Sequence, residues 1–231
     1  STTIAQRIAT GLDSFSLLAI PFFVLAGEIM NRGGIARRLI ELAKAIAGRL
    51  PGSLLYVNVL AAMLFGVIAG SAAAAVSAIG GILGKPMEEE GYPKGLSAAV
   101  NITASTNGLI IPPSNILIVY SLASGGVSIV ALFVAGYLPG LLVSLLLILT
   151  AGFFIKKHQL PAGAPSSWRL LMNKTWRALP SLMLLFIVIG GIVGGVFTAT
   201  EASAIAVVYT LVLAFIYQEL KRGELSKVLL K

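Results

Sequence analysis

The sequence predicts an all-α integral membrane protein built from transmembrane helices, a re-entrant helical hairpin and a broken helix. Of its 231 residues, 57% are hydrophobic and 11% are charged, whereas soluble domains carry about 25% charged residues. Residues 95–155 contain no Asp, Glu, Lys, Arg or His, and a helical span takes about 20 residues, so this run crosses a membrane more than once. The apolar runs are continuous rather than alternating, which favours helices over barrel strands.

The first fifty residues predict one span followed by an amphipathic helix. Residues 14–30 form an apolar run of sufficient length for a span. In residues 33–49, apolar side chains recur at helical spacing, at Ile35, Leu39, Leu42, Ile46 and Leu50. Charged side chains occupy the other faces, which is typical of a helix lying at the membrane interface, and its basic character places it on the cytoplasmic side. We therefore assign residues 1–50 to a scaffold span and an interfacial arm helix.

Residues 51–84 predict a re-entrant hairpin. They are uncharged, and a straight helix of this length would be about 50 Å long against a hydrocarbon core of about 30 Å. Two full spans would need a longer run, so two half-helices fit best, with their tip in the small residues 66–75. Residues 85–94 are charged and contain two prolines, which predicts a turn on the side of the arm helix.

The most informative stretch is residues 101–115, because polar side chains and two prolines interrupt an uncharged membrane segment there. Pro112 and Pro113 each lack a backbone donor and clash with the preceding turn, so the helix predicted over residues 95–123 breaks near them. Such a break is tolerated at membrane depth only where it is buried in protein or lines a cavity. In transporters, broken helices hold the substrate and the coupling ion.

The polar side chains around the break support two interpretations. They can bind neighbouring helices, at about 0.6 kcal/mol for each hydrogen bond. Alternatively, they and the carbonyls freed by the break can bind sodium, with the negative end of the first half-helix directed at the cation. The neighbouring prolines and glycine favour the second interpretation. The cluster comprises Asn101, Thr103, Ser105, Thr106, Asn107, Ser114 and Asn115.

Residues 124–231 predict further spans and cytoplasmic linkers. After a division at residues 124–126, the apolar runs are residues 127–155, 178–200 and 202–218. With the hairpin assignment, every basic loop falls on one face of the membrane, as does the basic end of the chain at Lys221, Arg222 and Lys227. Two acids, Glu28 and Glu201, border apolar runs and are candidates for an ion pathway.

Several function classes lack the residues they need. The chain has no cysteine and one histidine, His158, so neither a catalytic triad nor a histidine-based metal site can be built. It also has no phosphate-binding loop ending in Lys-Ser or Lys-Thr. The net charge of +8 comes from a few loops and reflects membrane topology, not nucleic-acid binding. We therefore predict no enzyme, and transport driven by an ion gradient.

Five segments of the sequence occur in an order that marks a family. They are residues 21–35, 70–72, 107–114, 135–140 and 195–202. Together they resemble the large membrane subunit of tripartite ATP-independent periplasmic (TRAP) transporters of the DctM or SiaM type, over nearly the whole chain.

This resemblance implies a sodium-coupled, elevator-type importer of an organic acid, a multi-pass protein of the bacterial inner membrane. A periplasmic substrate-binding (P) protein would deliver the substrate, and a small four-helix membrane (Q) subunit would complete the transporter. Residues 51–123 would belong to the transport domain. Such subunits contain two inverted repeats, and this chain would hold most of the first. Since the start does not resemble a signal peptide and both ends look cut, we expect a piece of a longer protein.

The resemblance also implies a sodium ion held between the hairpin tip and the break. Carried onto this sequence, the ligands are Ala69, Ser71, Gly108, Ile111 and Pro113. Candidates for the substrate or ion pathway are Gly70, Thr106, Asn107, Ser114 and Asn115. The family pattern usually has Ser at Ala69 and Asp at Ala75; a backbone carbonyl survives the first change, and the second weakens a C4-dicarboxylate assignment. The sequence at residues 113–115 favours the sialic-acid branch.

Two alternatives stay open on the sequence alone. One is another ion-coupled carrier with re-entrant hairpins and no binding protein. The other is a membrane scaffold fragment without transport, in which the polar cluster only binds helices.

Overall fold

The computed structural model describes residues 15–163 and 167–219, apart from the side chains of residues 67–69. Within these ranges the chain is helical, and its strand-like pairing is limited to one isolated bridge between Pro51 and Ala162. A 3-10 turn, Phe15–Leu18, precedes the helices. These are α1 (Ala19–Arg32), α2 (Ile35–Ala47), α3 (Ser53–Ala69), α4 (Ala72–Glu89), α5 (Lys94–Asn107), α6 (Asn115–Ala123), α7 (Ile129–His158), α8 (Trp168–Val193) and α9 (Ala199–Ile216).

Four segments of the described chain are long and apolar enough to cross a membrane. They are Phe15–Arg32, which joins the 3-10 turn to α1, and the helices α7, α8 and α9. Helices α3 and α4 fall between the first and second of these segments. The predicted all-α membrane fold is therefore confirmed. The first predicted span begins at Ser14, which lies outside the described residues.

Helices α3 and α4 form the predicted hairpin, with Gly70 and Ser71 at its tip. Gly70 adopts φ +57°, a left-handed conformation that suits glycine at a helix C-terminus. The Ser71 hydroxyl accepts a hydrogen bond from the N–H of Ala74 at 3.3 Å and caps α4. The chain therefore reverses direction within two residues.

The second arm of the hairpin is longer than predicted. Residues 85–89, expected in a charged turn, continue α4 through Pro86 to Glu89. The last turn closes because the N–H of Glu90 donates to the Pro86 carbonyl at 3.0 Å, and Met87 is buried. The predicted boundary at residue 84 is therefore wrong, and the turn itself is confined to residues 90–93.

The helix predicted to break at the double proline does so. Helix α5 ends at Asn107, α6 begins at Asn115, and the peptide bond between Pro112 and Pro113 is cis. Helix α5 packs against both arms of the hairpin. Hairpin and broken helix therefore form one packed group.

The arm helix α2 is amphipathic, but its buried face differs from the predicted stripe. Leu39 and Leu42 are buried, whereas Ile46 and Leu50 are 55% and 50% exposed. Helix α2 packs against both α3 and α8, and alanines form part of the packed side in place of Ile46 and Leu50. The position of α2 at a membrane interface stays a prediction.

The end of the chain was predicted with the wrong boundaries. Helix α8 begins at Trp168, well before residue 178, and ends at Val193. Glu201 does not separate two spans but lies in the first turn of α9, where its carboxylate accepts a hydrogen bond from the N–H of Thr198 at 2.8 Å. Lys221, Arg222 and Lys227 lie outside the described residues.

One end of the molecule gathers the arm helix, the base of the hairpin and the linker between α7 and α8. The N–H of Gly52 donates to the Pro161 carbonyl at 2.8 Å, and the N–H of Gly163 donates to Leu50 at 3.2 Å. Lys174 of α8 forms an ion pair with Glu41 of α2 at 2.8 Å. These contacts agree with basic loops on one face. The division into domains at residues 50 and 123 stays a prediction.

Candidate ion and substrate site

The hairpin tip contacts the break in the broken helix. The side-chain amide of Asn115 donates a hydrogen bond to the Gly70 carbonyl at 3.3 Å. Further down the first arm, a Cβ placed on Gly66 would lie 2.6 Å from the Cα of Gly108. Two glycines are therefore required for this close backbone approach. The two halves of the predicted site thus lie together.

The break contains three buried residues whose carbonyls have no partners. Gly108, Ile111 and Pro113 are buried, and their carbonyl oxygens accept no hydrogen bond from any residue that the structure describes. These carbonyls lack donors for a local reason. The N–H groups of the two residues after Gly108 donate to carbonyls at the end of α5, and the two prolines have no N–H. Buried carbonyls are nearly always paired. Three predicted sodium ligands therefore have free acceptor capacity.

Asn115 adds a further free oxygen at the same place. Its side chain is buried, and Oδ1 has no hydrogen-bond partner while the amide nitrogen is used by Gly70. Among the described residues, no group of three or more His, Cys, Asp or Glu side chains could hold a metal ion. Neutral oxygens therefore dominate the site, as in transporter sites where unwound carbonyls coordinate sodium.

Three helix ends meet around these oxygens. Helix α5 ends at the break, so its partial negative charge is directed there. Helices α4 and α6 both begin beside the site, and their N-termini carry partial positive charge. Cation and anion can therefore be accommodated at neighbouring positions. For Ala69, the structure describes only the backbone, at the C-terminal end of α3.

Other predicted pathway residues have structural partners. The Asn107 amide nitrogen donates to the Gly140 carbonyl at 3.1 Å and to the Ser144 hydroxyl at 2.6 Å, which fastens the break to α7. The Thr106 hydroxyl is exposed and donates within α5, to Ile102 at 2.8 Å. The Ser114 hydroxyl caps α6, as Ser71 caps α4. For these side chains the packing interpretation describes the observed bonds.

The two candidate acids are also engaged. Glu28 forms an ion pair with Arg32, one turn later, at 2.9 Å. Glu201 and Thr198 form a capping box at the start of α9. The Glu28 carboxylate therefore stabilises the surface of α1, and the Glu201 carboxylate stabilises the start of α9.

A cavity of about 270 Å³ lies between the hairpin and α5. Its lining includes Asn58, Ser97 and Asn101, and each has a buried side-chain oxygen without a partner. Sequence reasoning missed Asn58. The sequence feature that could have identified Asn58 is that it is the single Asn in residues 51–84.

The turn at this cavity carries shifted titratable groups. Burial raises the pKa of Tyr92 to about 12. A hydrogen bond from Lys94, at 2.7 Å, lowers the pKa of the exposed Glu88 below its ordinary value. Tyr92 is therefore neutral and Glu88 charged near neutral pH.

Comparison with known proteins agrees with the motifs. Residues 1–231 match the model of the family described as tripartite ATP-independent periplasmic transporter, DctM component. The YgiK protein of Salmonella typhimurium is 56% identical over 99% of this chain and 53% of its own length. The C4-dicarboxylate TRAP transporter large permease protein DctM of Pseudomonas aeruginosa is 40% identical over 99% of this chain and 54% of its own length.

A further relative is named for a different substrate. The sialic acid TRAP transporter large permease protein SiaM of Vibrio cholerae is 38% identical over 90% of this chain and 49% of its own length. The chain spans about half the length of these curated relatives. The family is one of transporter components and not of enzymes, as predicted. The chain belongs to the DctM component family of tripartite ATP-independent periplasmic transporters.

Proposed function

We propose that this chain forms the sodium site of a secondary transporter that imports an organic acid. The observation that carries the proposal is the contact of the hairpin tip with a break in which the carbonyls of three buried residues accept no hydrogen bond from a described residue. A sodium ion bound to Gly108, Ile111, Pro113 and the Asn115 side chain would satisfy these oxygens, with further ligands from Ala69 and Ser71. The C-terminal end of α5 supports a cation there.

The substrate in this proposal is an organic acid that binds beside the sodium ion. The N-termini of α4 and α6 favour a carboxylate at this position. The two relatives named for C4-dicarboxylate and sialic acid are 40% and 38% identical to the chain, so identity does not separate the substrates. Residues 113–115 and the replacement of an Asp by Ala75 favour sialic acid.

The complete transporter would work by an elevator movement in the bacterial inner membrane. Helices α3, α4 and α5 pack on one another, while α1 packs mainly on α9; this pattern supports a moving group and a scaffold. A periplasmic binding protein and a small four-helix membrane subunit would be its partners; the family description of a tripartite periplasmic transporter supports an assembly of three components.

The test is sodium-dependent uptake by Asn115→Ala in proteoliposomes that contain the full permease, its small subunit and its binding protein. Loss of one oxygen ligand to a charged group costs about 1.5–3 kcal/mol, so we expect the sodium concentration for half-maximal sialic acid uptake to rise at least about tenfold. The same uptake measurements with a C4-dicarboxylate in place of sialic acid show which of the two substrates is transported.

Asn101→Ala is the matched control. Asn101 also lies in the broken helix, is buried, and donates its amide to a carbonyl, that of Val76 at 3.0 Å, but it is not at the break. Its removal should leave the sodium dependence unchanged. Equal shifts in both variants, or full activity with potassium in place of sodium, would contradict the site. Absence of any sodium-dependent uptake in the unmodified protein would favour a scaffold.

A further inference from the structure

A basic pocket lies between the arm helix α2, the third and fourth turns of α8 and the end of α9. Its volume is about 450 Å³, and its lining includes Arg37, Arg38, Trp176, Arg177 and Tyr217. We propose that this pocket binds the phosphate group of an anionic phospholipid. The pocket belongs to the basic end of the molecule and is separate from the break.

The positive charge of the pocket is only partly neutralised. Arg37 and Arg38 share one carboxylate, that of Glu219, at 2.5 and 3.3 Å. The remaining carboxylate, Glu41, is paired with Lys174. Arg177 makes no ion pair or hydrogen bond with any described residue. A phosphate would supply the acceptor that this guanidinium lacks, and guanidinium groups match phosphate oxygens in pairs.

The aromatic residues place the pocket at the level of lipid headgroups. Trp176 lines the pocket and is 74% exposed, as expected for an indole at a membrane interface. The Tyr217 ring lies under Arg38, with the guanidinium carbon 3.5 Å from the ring centre. Arg177 is the last charged residue of α8, and residues 178–193 are uncharged. Since α8 and α9 are both span candidates, the pocket lies where α8 enters its apolar part, which is expected at the boundary between lipid and water.

An apolar stripe leads from the pocket along the outer face of α8. Leu179, Met183 and Phe186 follow Trp176 at intervals of one turn and are exposed, so all four lie on one face of the helix. A free phosphate would need only the arginines, whereas an acyl chain would cover this stripe. The combination favours a phospholipid, and basic pockets between transmembrane helices are known to bind anionic headgroups.

The test is lipid binding to the full permease, purified with any small subunit that stays bound, measured by native mass spectrometry. Dioleoyl phosphatidylglycerol should bind more tightly than dioleoyl phosphatidylcholine. In Arg177→Gln, affinity for phosphatidylglycerol should fall about fivefold, the effect of one basic residue near an anionic surface. Binding of phosphatidylcholine should not change.

Lys157→Gln is the control for unspecific attraction. Lys157 is an exposed cation in the last turn of α7, and its loss should leave binding within twofold of the original. A matching melting temperature in phosphatidylcholine would show that both variants are folded. Equal binding of the two lipids, equal loss in both variants, or competition by glycerol 3-phosphate at the same concentration as the lipid would each overturn the proposal.

Discussion

At the scale of single residues, chemistry that acts locally could be predicted, whereas contacts between distant residues could not. The double proline predicted the break, because a missing N–H and a clash with the preceding turn act within a few residues. The partner of Gly66 could not be predicted, since the sequence does not show that Gly108 contacts it. For the same reason, the sequence did not show that the Asn107 amide nitrogen binds α7; its Oδ1 has no partner, and its place in the pathway stays a prediction.

Gly66→Ala should lower stability, because the new Cβ meets the backbone of Gly108, which cannot rotate away. Overpacking of this kind costs about 1–3 kcal/mol. Gly81→Ala is a matched control on the other arm, where a Cβ meets nothing within 4 Å and alanine favours the helix by up to about 1 kcal/mol. Thermal unfolding of the full chain in detergent should therefore shift in opposite directions. A shift of the same sign in both variants would contradict the close contact.

At the scale of helices, apolar runs located the elements but not their ends. Hydropathy indicates which residues lie in the hydrocarbon core of the membrane, whereas a helix can continue beyond that core. Helix α8 thus begins at Trp168 and includes Arg169 and Lys174, and α4 continues through the charged residues to Glu89. Glu201 was read as a boundary because of its charge, yet an acid in the first turn completes a cap.

Substitution at Glu201 should separate capping from ion conduction. Glu201→Gln keeps a side chain that can accept from the Thr198 N–H, so stability and sodium-dependent uptake should stay near their original values. Glu201→Ala removes the acceptor and should lower stability by about 1 kcal/mol. Chemical or thermal unfolding measures the stability of the two variants, and sodium-dependent uptake measures their transport. Loss of uptake in Glu201→Gln, with normal stability, would restore the pathway role.

At the scale of the whole molecule, the contacts agree with the arrangement of elements that the sequence predicted, and the orientation in the membrane stays a prediction. The rule that basic loops share one face required the hairpin to return, and the contacts of Gly52 with Pro161 and of Lys174 with Glu41 bring these segments to one end. Elevator movement and the domain division depend on more than one conformation, so they stay predictions.

Cysteine labelling tests the return of the hairpin, since these 231 residues contain no cysteine. Glu90→Cys, in the turn that follows the hairpin, and Ile46→Cys, on the arm helix, are both exposed and should react with an impermeant maleimide from the same face of oriented vesicles. Val127→Cys, before α7, is also exposed and should react from the opposite face. Labelling of Glu90→Cys together with Val127→Cys would mean that the hairpin crosses the membrane.

The bonds that join residues 50–52 to residues 161–163 bear on biosynthesis. The N–H of Gly52 and the carbonyl of Leu50 find their partners in Pro161 and Gly163, which leave the ribosome only after the hairpin, the broken helix and α7. The residues that join the arm helix to the hairpin are therefore synthesised early, but their hydrogen bonds form late. Until then its polar groups depend on water, or on the machinery that inserts the chain, and pairing at such sequence separation slows folding.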